Sequence, residues 1–161
     1  MPKVILLCGK IASGKSWYCR KLMEDSPALL LSVDEVTDRL FDNALGEAHD
    51  AMTAKIQAYL LNKAVEAVRA GADVILDWGF WTRQDRQAHT KYFRQRAIPV
   101  EWHYIDVPDP VWRENIARRN AAVLAGEDPS YYVDEGLMQK LLAWFEPPQP
   151  EEMDVIYRRE R

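Results

Sequence analysis

The amino-acid sequence predicts an α/β fold in which a parallel β-sheet is covered by helices on both faces. Short apolar runs alternate along the chain with longer helical segments, an order typical of right-handed β-α-β crossovers. The first apolar run is followed directly by a glycine-rich turn and a helix. The 161 residues carry no internal repeat and no domain boundary that we recognise, so a single domain over 1–161 is expected.

The first half of the chain contains three short apolar runs that predict buried strands: 3–8, 28–33 and 73–77. Three helices are predicted among them: 14–24, 35–42 and 50–70. In the longest of these helices, apolar side chains recur every fourth residue from Met52 to Val68. Gly71 stands where a helix stop is expected.

The second half continues the alternation with a polar helix, a strand and a longer helix: 83–96, 99–106 and 109–125. The longer helix is predicted to begin at Asp109-Pro110, with Asp109 as its N-cap and Pro110 in its first turn. A last helix and a short strand that closes the sheet are predicted at 134–145 and 153–157.

The glycine-rich turn GKIASGKS matches the pattern GxxxxGK[ST] of a phosphate-binding loop, or P-loop, and lies between a strand and a helix as that pattern requires. Backbone N–H groups and the helix dipole form an anion cradle there, although a chance glycine-rich turn is the alternative. We expect Lys15 to contact the β- and γ-phosphates of a nucleotide and the Ser16 hydroxyl to ligate Mg²⁺. The expected nucleotide contacts are Gly9, Lys10, Ile11, Ala12, Ser13, Gly14, Lys15, Ser16 and Trp17.

Two aspartates stand at the carboxyl ends of predicted strands, where ligands bind in open α/β sheets. Asp34 is a candidate general base for a substrate hydroxyl, and also a candidate N-cap for the helix predicted from Glu35. The two roles are compatible. Asp77 ends the strand DVILD and is a candidate metal ligand, directly or through water, and a candidate substrate contact.

The segment DWGFWTRQDR, residues 77–86, is first aromatic and then basic. Trp78 and Trp81 are candidates to line an apolar substrate pocket, and packing of the following helix on the sheet is the alternative. Arg83 and Arg86 lie three residues apart on one helical face. Each is a candidate contact to a substrate phosphate, with a solvated surface arginine as the alternative.

Arg118 and Arg119 precede the loop-rich run AGEDPSYYV, and together they predict a small lid near 118–134. An arginine on a lid suits phosphoryl transfer because charge develops on the γ-phosphate oxygens. Adjacent helical residues point about 100° apart, so both cannot face the phosphates equally, and we favour Arg119 over Arg118. Two surface arginines are the alternative.

The charge, the hydropathy and the cysteines of the chain indicate which partners and which cellular environment to expect. The net charge of −4 disfavours a nucleic-acid partner without excluding it. No apolar run reaches about 20 residues and no signal-peptide pattern is present, so neither a membrane span nor export is expected. Cys8 and Cys19 have no metal-binding or redox spacing and are predicted to be core residues in a reducing cytoplasm.

In this order, the segments resemble the small P-loop kinases of the zeta-toxin, chloramphenicol-phosphotransferase and polynucleotide-kinase group. The likeness extends over almost the whole chain and rests on five blocks: GKIASGKS, SVDEV, VILDWGFWTRQDR, HYIDVPDPVWRENIARRN and WFEPP. The resemblance implies a three-layer P-loop NTPase fold with strand order 2-3-1-4-5, Mg²⁺-ATP as the phosphoryl donor, and a hydroxyl as the acceptor.

The resemblance also assigns roles to particular residues. Lys15 and Ser16 match the phosphate and metal positions, and Asp34 matches the acid that activates the acceptor hydroxyl. Arg119 or Arg118 matches the lid arginine. The tail FEPP, which includes Pro147, resembles the loop that flanks the adenine base.

The function expected from the resemblance is ATP-dependent phosphorylation of a hydroxyl on a small molecule, either antibiotic-like or a metabolite. A kinase of polynucleotide or nucleoside hydroxyls is one alternative, and a non-catalytic ATP-binding regulator is another. Polynucleotide kinases of this group carry an arginine one helical turn after the acid. Here Thr37 and Asp38 follow Asp34, and arginine arrives only at Arg39, which favours the small-molecule hypothesis.

Overall fold

The sheet at the centre of the molecule has five parallel strands in the order β2-β3-β1-β4-β5, in a computed structural model that describes residues 1–42 and 44–159. The strands are β1 Val4–Cys8, β2 Leu29–Leu31, β3 Val74–Gly79, β4 Val100–Asp106 and β5 Val155–Arg158. The α-helices are α1 Lys15–Asp25, α2 Val33–Phe41, α3 His49–Arg69, α4 Arg83–Arg94, α5 Asp109–Leu124 and α6 Glu135–Trp144. The predicted fold class and strand order are confirmed.

The core lies on both faces of the central strand β1, whose five residues are all buried. Alternate side chains of a strand point to opposite faces of the sheet. Val4, Leu6 and Cys8 therefore pack in the layer under α3 and α4. Ile5 and Leu7 pack in the layer under α1, α5 and α6. This three-layer arrangement brings the carboxyl ends of β1, β2 and β3 to one edge, where the candidate site residues stand.

Helix α2 begins earlier than the sequence predicts, at Val33 instead of Glu35. Its N-cap is Ser32, whose hydroxyl oxygen accepts a hydrogen bond from the backbone N–H of Glu35 at 3.3 Å. The hypothesis that Asp34 caps this helix is therefore wrong. Asp34 lies inside the first turn, where an acidic side chain complements the helix dipole.

Strand β3 continues two residues past its predicted end at Asp77, so Asp77 and Trp78 are strand residues. The strand stops where Gly79 and Phe80 take positive φ angles of 82° and 46°. The backbone N–H of Gly9 donates to the Gly79 carbonyl at 3.1 Å, which ties the start of the P-loop to the end of β3.

Helix α5 begins at Asp109, and Pro108 occupies its N-cap position. Asp109 was predicted to be the cap and is instead the first helical residue. Its carboxylate accepts a hydrogen bond from Arg113 Nε at 2.8 Å, one turn along the helix. The Asp109 carboxylate therefore binds a side chain on the surface of α5 and does not cap the N-terminus of this helix.

Both cysteines are free and buried. Burial raises the pKa of the Cys8 thiol to about 11 and that of Cys19 to about 12, so both remain protonated at neutral pH. Among the residues that the structure describes, no helix is both long and apolar enough to cross a lipid bilayer.

Candidate active site

The P-loop connects β1 to α1, and Gly14 occupies the N-cap position of α1 with a φ of 94°. This left-handed conformation favours glycine. A Cβ at Gly14 would also collide with the guanidinium of Arg159. No side chain caps α1, so the first backbone N–H groups of this helix are available to an anion.

Two side chains of α5 hold the P-loop in its cradle shape. Trp112 Nε1 donates to the Ile11 carbonyl at 2.8 Å, and Asn115 Nδ2 donates to the Ala12 carbonyl at 3.0 Å. Because the C=O and N–H of a peptide point in opposite directions, the N–H groups that follow these carbonyls point away from α5. Ala12 has a φ of 53°, a conformation that costs an alanine about 1–2 kcal/mol and that these contacts maintain.

Lys15 is folded back over the P-loop. Its Nζ donates to the Lys10 carbonyl at 2.7 Å and to the Gly9 carbonyl at 3.1 Å. Burial lowers the pKa of this ammonium group, and the nearby carboxylates of Asp77 and Asp34 oppose that shift. The arrangement concentrates positive charge at the mouth of the anion cradle.

Ser16, Asp34 and Asp77 bring three oxygen-bearing side chains to the same cleft as Lys15. Hard cations such as Mg²⁺ prefer oxygen ligands, and protein sites often supply only one or two carboxylates, with waters and substrate phosphates completing the shell. In the described part of the chain no group of three or more His, Cys, Asp or Glu residues forms a metal cage. The side chains present therefore fit a magnesium ion that is shared with a phosphate.

The cleft consists of two adjoining cavities of about 370 and 460 Å³. The first, which we call the P-loop cavity, lies over the loop and is also lined by Asn115, Arg118 and Arg159. The second, the α3-side cavity, extends towards Thr53 and Gln57 of α3. Residues common to both are Ile11, Lys15, Ser16, Asp34, Asp77, Arg119 and Asp128.

The two candidate lid arginines occupy different places. Arg119 lines both cavities and is half-buried, with its guanidinium carbon 5.8 Å from the centre of the Tyr131 ring. Arg118 lines only the P-loop cavity, is exposed, and donates to Asn115 Oδ1 at 2.7 Å. Arg119 is therefore the arginine at the junction of the cavities.

The loop after α5 is tied back to that helix by one amide side chain. Asn120 Nδ2 donates to the Val133 carbonyl at 2.7 Å, and Asn120 Oδ1 accepts from the Val133 N–H at 2.8 Å. Asp128 lies between these anchor points and accepts from the Ser130 N–H at 2.8 Å. These bonds hold Asp128 and Tyr131 against the α3-side cavity.

Trp78 and Trp81 both line the α3-side cavity, although the predicted pocket was apolar and four aspartates line this one. Trp78 also contacts the following helix α4, as the other alternative predicted, since its ring centre lies 5.9 Å from that of His89. The Trp78 ring lies 5.5 Å from Phe80, and the Trp81 ring lies 5.8 Å from Phe145. Each indole therefore supports the sheet with one part and forms the cavity wall with another.

Arg83 and Arg86 were predicted to bind substrate, and the structure places neither on the cleft cavities. Arg86 is buried, pairs with Glu152 at 3.1 Å and donates to the Phe80 carbonyl at 2.9 Å, so its guanidinium is engaged in the protein interior. Arg83 is exposed at the start of α4. The structure thus assigns Arg86 a stabilising role that neither alternative anticipated.

Pro147, predicted to flank the adenine base, also lies outside the P-loop cavity. It lines a separate cavity of about 490 Å³ together with Lys10, Tyr104 and Phe145. Arg159, which follows β5, is the residue that reaches over Gly14 and lies 5.3 Å from the Trp17 ring. The P-loop end of the cleft is thus bordered by the chain after β5.

Several residues of the cleft were not singled out from the sequence: Asp38, Thr53, Gln57, Trp112, Asn115, Asp128, Tyr131 and Arg159. A partial signal exists for three of them. Thr53 and Gln57 are polar residues one turn apart, beside the apolar positions of α3, and Asp38 lies one turn after Asp34. The positions of the others depend on contacts between distant segments, which leave no local pattern.

The stability of the metal-free, nucleotide-free protein is expected to depend on Asp77. Burial raises the pKa of its carboxyl from 3.8 to about 6, against the opposing effect of Lys15. The folded state binds this proton more tightly than the unfolded state does. Ionisation of Asp77 therefore destabilises the fold, and the destabilisation increases as the pH rises from about 4 to 6. We expect Asp77→Asn to raise the unfolding free energy by about 2–3 kcal/mol at pH 7, and by about 1 kcal/mol at pH 4.5.

Chemical denaturation in the presence of a chelator, at both pH values, measures this difference. Asp50→Asn, on the exposed first turn of α3, is the matched control and is expected to change stability little. A destabilised Asp77→Asn protein at pH 7 would show that the carboxylate stabilises the apo fold through its partners.

Comparisons with known proteins agree with this architecture. Residues 4–148 match the family model described as an AAA domain. No protein in the curated set matches the chain. A candidate kinase from Chloroflexus aurantiacus superposes with a TM-score of 0.74 at 19% identity, over 99% of this chain and 88% of that one.

Two further solved structures contain nucleotide analogues. The APS kinase CysC of Mycobacterium tuberculosis, solved with AMPPNP and APS, has a TM-score of 0.60 at 19% identity over 99% of this chain and 90% of its own. Kti12 of Chaetomium thermophilum, solved with ADP-AlF3, has a TM-score of 0.67 at 18% identity over 98% and 88%. At these identities the likeness concerns the fold.

Proposed function

Since this chain belongs to the AAA-domain family, which matches residues 4–148, we propose that it is an ATP-dependent phosphotransferase acting on a hydroxyl of a small molecule. One observation carries this proposal: Lys15, Asp34 and Arg119 meet on the wall that two adjoining cavities share. A nucleotide on the P-loop side would face an acceptor on the α3 side across these three side chains.

The P-loop cavity has the charge that polyphosphate binding needs. Four cationic side chains line it against three aspartates. The cations are Lys15, Arg118, Arg119 and Arg159. Ser16 and Asp77 would hold Mg²⁺, directly or through water, and the uncapped start of α1 would bind phosphate oxygens.

When bound, Mg-ATP supplies a γ-phosphoryl group: the acceptor oxygen forms a new P–O bond, the bond to the β,γ-bridging oxygen breaks, and ADP leaves. Asp34 orients the acceptor hydroxyl and takes its proton. Because Asp34 is exposed in the open cleft, it can return that proton to solvent afterwards. Lys15 and Arg119 stabilise the charge that develops on the transferred group. The loop that follows α5, within the proposed lid at 118–134, would exclude water.

Two other functions remain as outcomes of the test. One is a kinase of nucleosides or of 5′-hydroxyl nucleic acids; a nucleic-acid acceptor would need cations on the acceptor side for its phosphates, and Arg83 and Arg86 lie outside that cavity. An ATP-binding regulator would bind nucleotide without transferring its phosphate, and would not depend on Asp34.

The test is ATP turnover by the purified protein with a panel of hydroxyl acceptors: an aminoglycoside, a phenicol, nucleosides and a 5′-hydroxyl oligonucleotide. We expect ADP release that depends on one acceptor class, with the phosphorylated product detected by mass spectrometry. Lys15→Ala is the negative control. Tight nucleotide binding with no acceptor-dependent turnover would favour the regulator, and phosphorylation of the oligonucleotide alone would favour the nucleic-acid kinase.

A further inference from the structure

The charge of the cleft changes sign along its length. The P-loop cavity has four cations against three aspartates, whereas the α3-side cavity has two cations against four aspartates. The two cations on the α3 side are Lys15 and Arg119, which both face the P-loop cavity as well. Without Asp77, which would hold Mg²⁺, the α3 side still has three aspartates against two cations, and Mg-ATP is itself net negative, so the acceptor end of the cleft is negative.

Of the two cleft cavities, Asp38 lines only the α3-side cavity, and it also borders a smaller pocket that Glu35 and Arg39 line. It lies one helical turn after Asp34, so both carboxylates face the same side of α2. Arg39, the one basic residue of α2, pairs with Glu35 at 3.3 Å and has a side chain that is 78% exposed. Arg39 is thus paired with Glu35, and Asp38 remains one of the four aspartates that line the α3-side cavity.

Aromatic faces accompany these carboxylates. Trp78, Trp81 and Tyr131 line the same cavity as Asp38 and Asp128. An ammonium group is attracted both by carboxylates and by the faces of indole and phenol rings. An anionic acceptor would meet neither attraction and would be repelled by the aspartates.

The same wall contains polar atoms that have no partner within the described residues. Trp78 Nε1 and Thr53 Oγ1 are both buried and form no hydrogen bond there. Such orphaned groups each cost about 1–3 kcal/mol, and because neither atom is exposed to solvent, a ligand in the cavity would pair with them only after these side chains rotate. The cavity volume of about 460 Å³ suits a polyfunctional small molecule.

From these observations we infer that the phosphate acceptor is a hydroxylated amine whose ammonium group binds at Asp38 and Asp128, while its hydroxyl meets Asp34. This inference rests on the proposed phosphotransferase function and specifies its substrate class. The reaction is the transfer given above: the hydroxyl oxygen gains the phosphoryl group, Asp34 takes the proton, and the amine is unchanged.

Acceptors that share a sugar scaffold and differ in charge test the inference. Kanamycin is compared with its fully N-acetylated form, and glucosamine with N-acetylglucosamine and glucuronate. Binding is measured by calorimetry with protein saturated with Mg-AMPPNP, and transfer by ADP release with Mg-ATP. We expect at least one amine to bind and to be phosphorylated roughly tenfold or more better than its acetylated form, the range typical of a hydrogen-bonded charge pair.

Asp38→Asn provides the matched variant because it removes the charge and keeps the shape. We expect kcat/KM for the amine to fall roughly tenfold, and that for a neutral acceptor to change less than about twofold. Asp42→Asn is the control, since Asp42 is exposed at the end of the same helix with a φ of 48°, which asparagine tolerates. It is expected to leave both acceptors unchanged, and thermal melts confirm that each variant is folded.

The outcomes separate the inference from the proposed function. Three results would overturn the hydroxylated amine as the acceptor: preference for a neutral or anionic acceptor, an equal effect of Asp38→Asn on all acceptors, or no binding of either amine. The proposed phosphoryl transfer would still stand in each case where transfer is observed. Binding of an amine that depends on Asp38, with no transfer to any acceptor, overturns the phosphotransferase and retains the amine site.

Discussion

Asp34→Asn is expected to slow phosphoryl transfer by about 10²- to 10⁴-fold, the range that a general base contributes, while nucleotide affinity stays nearly unchanged. Asparagine keeps the shape of the side chain and one acceptor oxygen, but it cannot take the proton of the acceptor hydroxyl. The fold should tolerate the change, because Ser32 and not Asp34 caps α2. Steady-state ADP release gives kcat, and calorimetry with Mg-AMPPNP gives the nucleotide affinity.

Glu35→Gln is the matched control. Glu35 is the next residue of the same turn, is exposed, and makes an exposed pair with Arg39 at 3.3 Å. Such pairs contribute about 0–1 kcal/mol, so its loss should change turnover by less than about fivefold. Equal turnover by Asp34→Asn and the parent protein would contradict the assignment of Asp34 as the base and would favour an ATP-binding regulator.

The P-loop half of the site was predictable because its geometry is local. A strand, the spacing from Gly9 to Ser16, and a following helix together specify a phosphate cradle within one short segment. The strand order was not contained in that pattern and came only from the resemblance, which the structure confirms. What the pattern omits are the two α5 side chains, Trp112 and Asn115, that hold the loop carbonyls from about a hundred residues away in sequence.

The predicted end of β2 and the predicted start of α2 were both wrong, and this affected the role expected of Asp34. The run 28–33 was predicted as one strand because it is apolar, but the strand ends at Leu31 and Ser32 already caps the next helix. Serine and aspartate are both good N-caps, so local preference alone could not choose between Ser32 and Asp34. Where β2 stops is decided by its pairing with β3, in which Leu31 lies opposite Leu76.

The acceptor side of the cleft was the least predictable part. Its wall is formed where α3 lies beside the carboxyl ends of β2 and β3. The spacing of Thr53 and Gln57 indicates a shared helical face, but not that this face borders a cavity. Arg86 is the opposite case, a residue that was predicted to bind substrate and lies in the protein interior instead. Spacing placed it on one face with Arg83, yet Glu152, 66 residues later, pairs with it inside the protein.

Arg119→Ala is expected to reduce kcat by about 10³-fold or more, because an arginine that stabilises the transferred phosphoryl group contributes on that scale. Arg118→Ala is expected to act mainly on the KM for ATP and to change kcat less than about tenfold, since an exposed side chain on the nucleotide side alone has little contact with the transferred group. The distinction follows from position: Arg119 lines both cavities, whereas Arg118 lines the P-loop cavity and bonds Asn115.

Arg113→Ala is the control on the same helix, where Arg113 pairs with Asp109 at 2.8 Å and Glu135 at 3.3 Å on the protein surface. Its removal should leave both kinetic constants within about fivefold of the parent. A larger loss of kcat in Arg118→Ala than in Arg119→Ala would contradict the assignment. That result would mean that Arg118 moves to the junction of the cavities on nucleotide binding, either by leaving Asn115 for another rotamer or by rotation of α5.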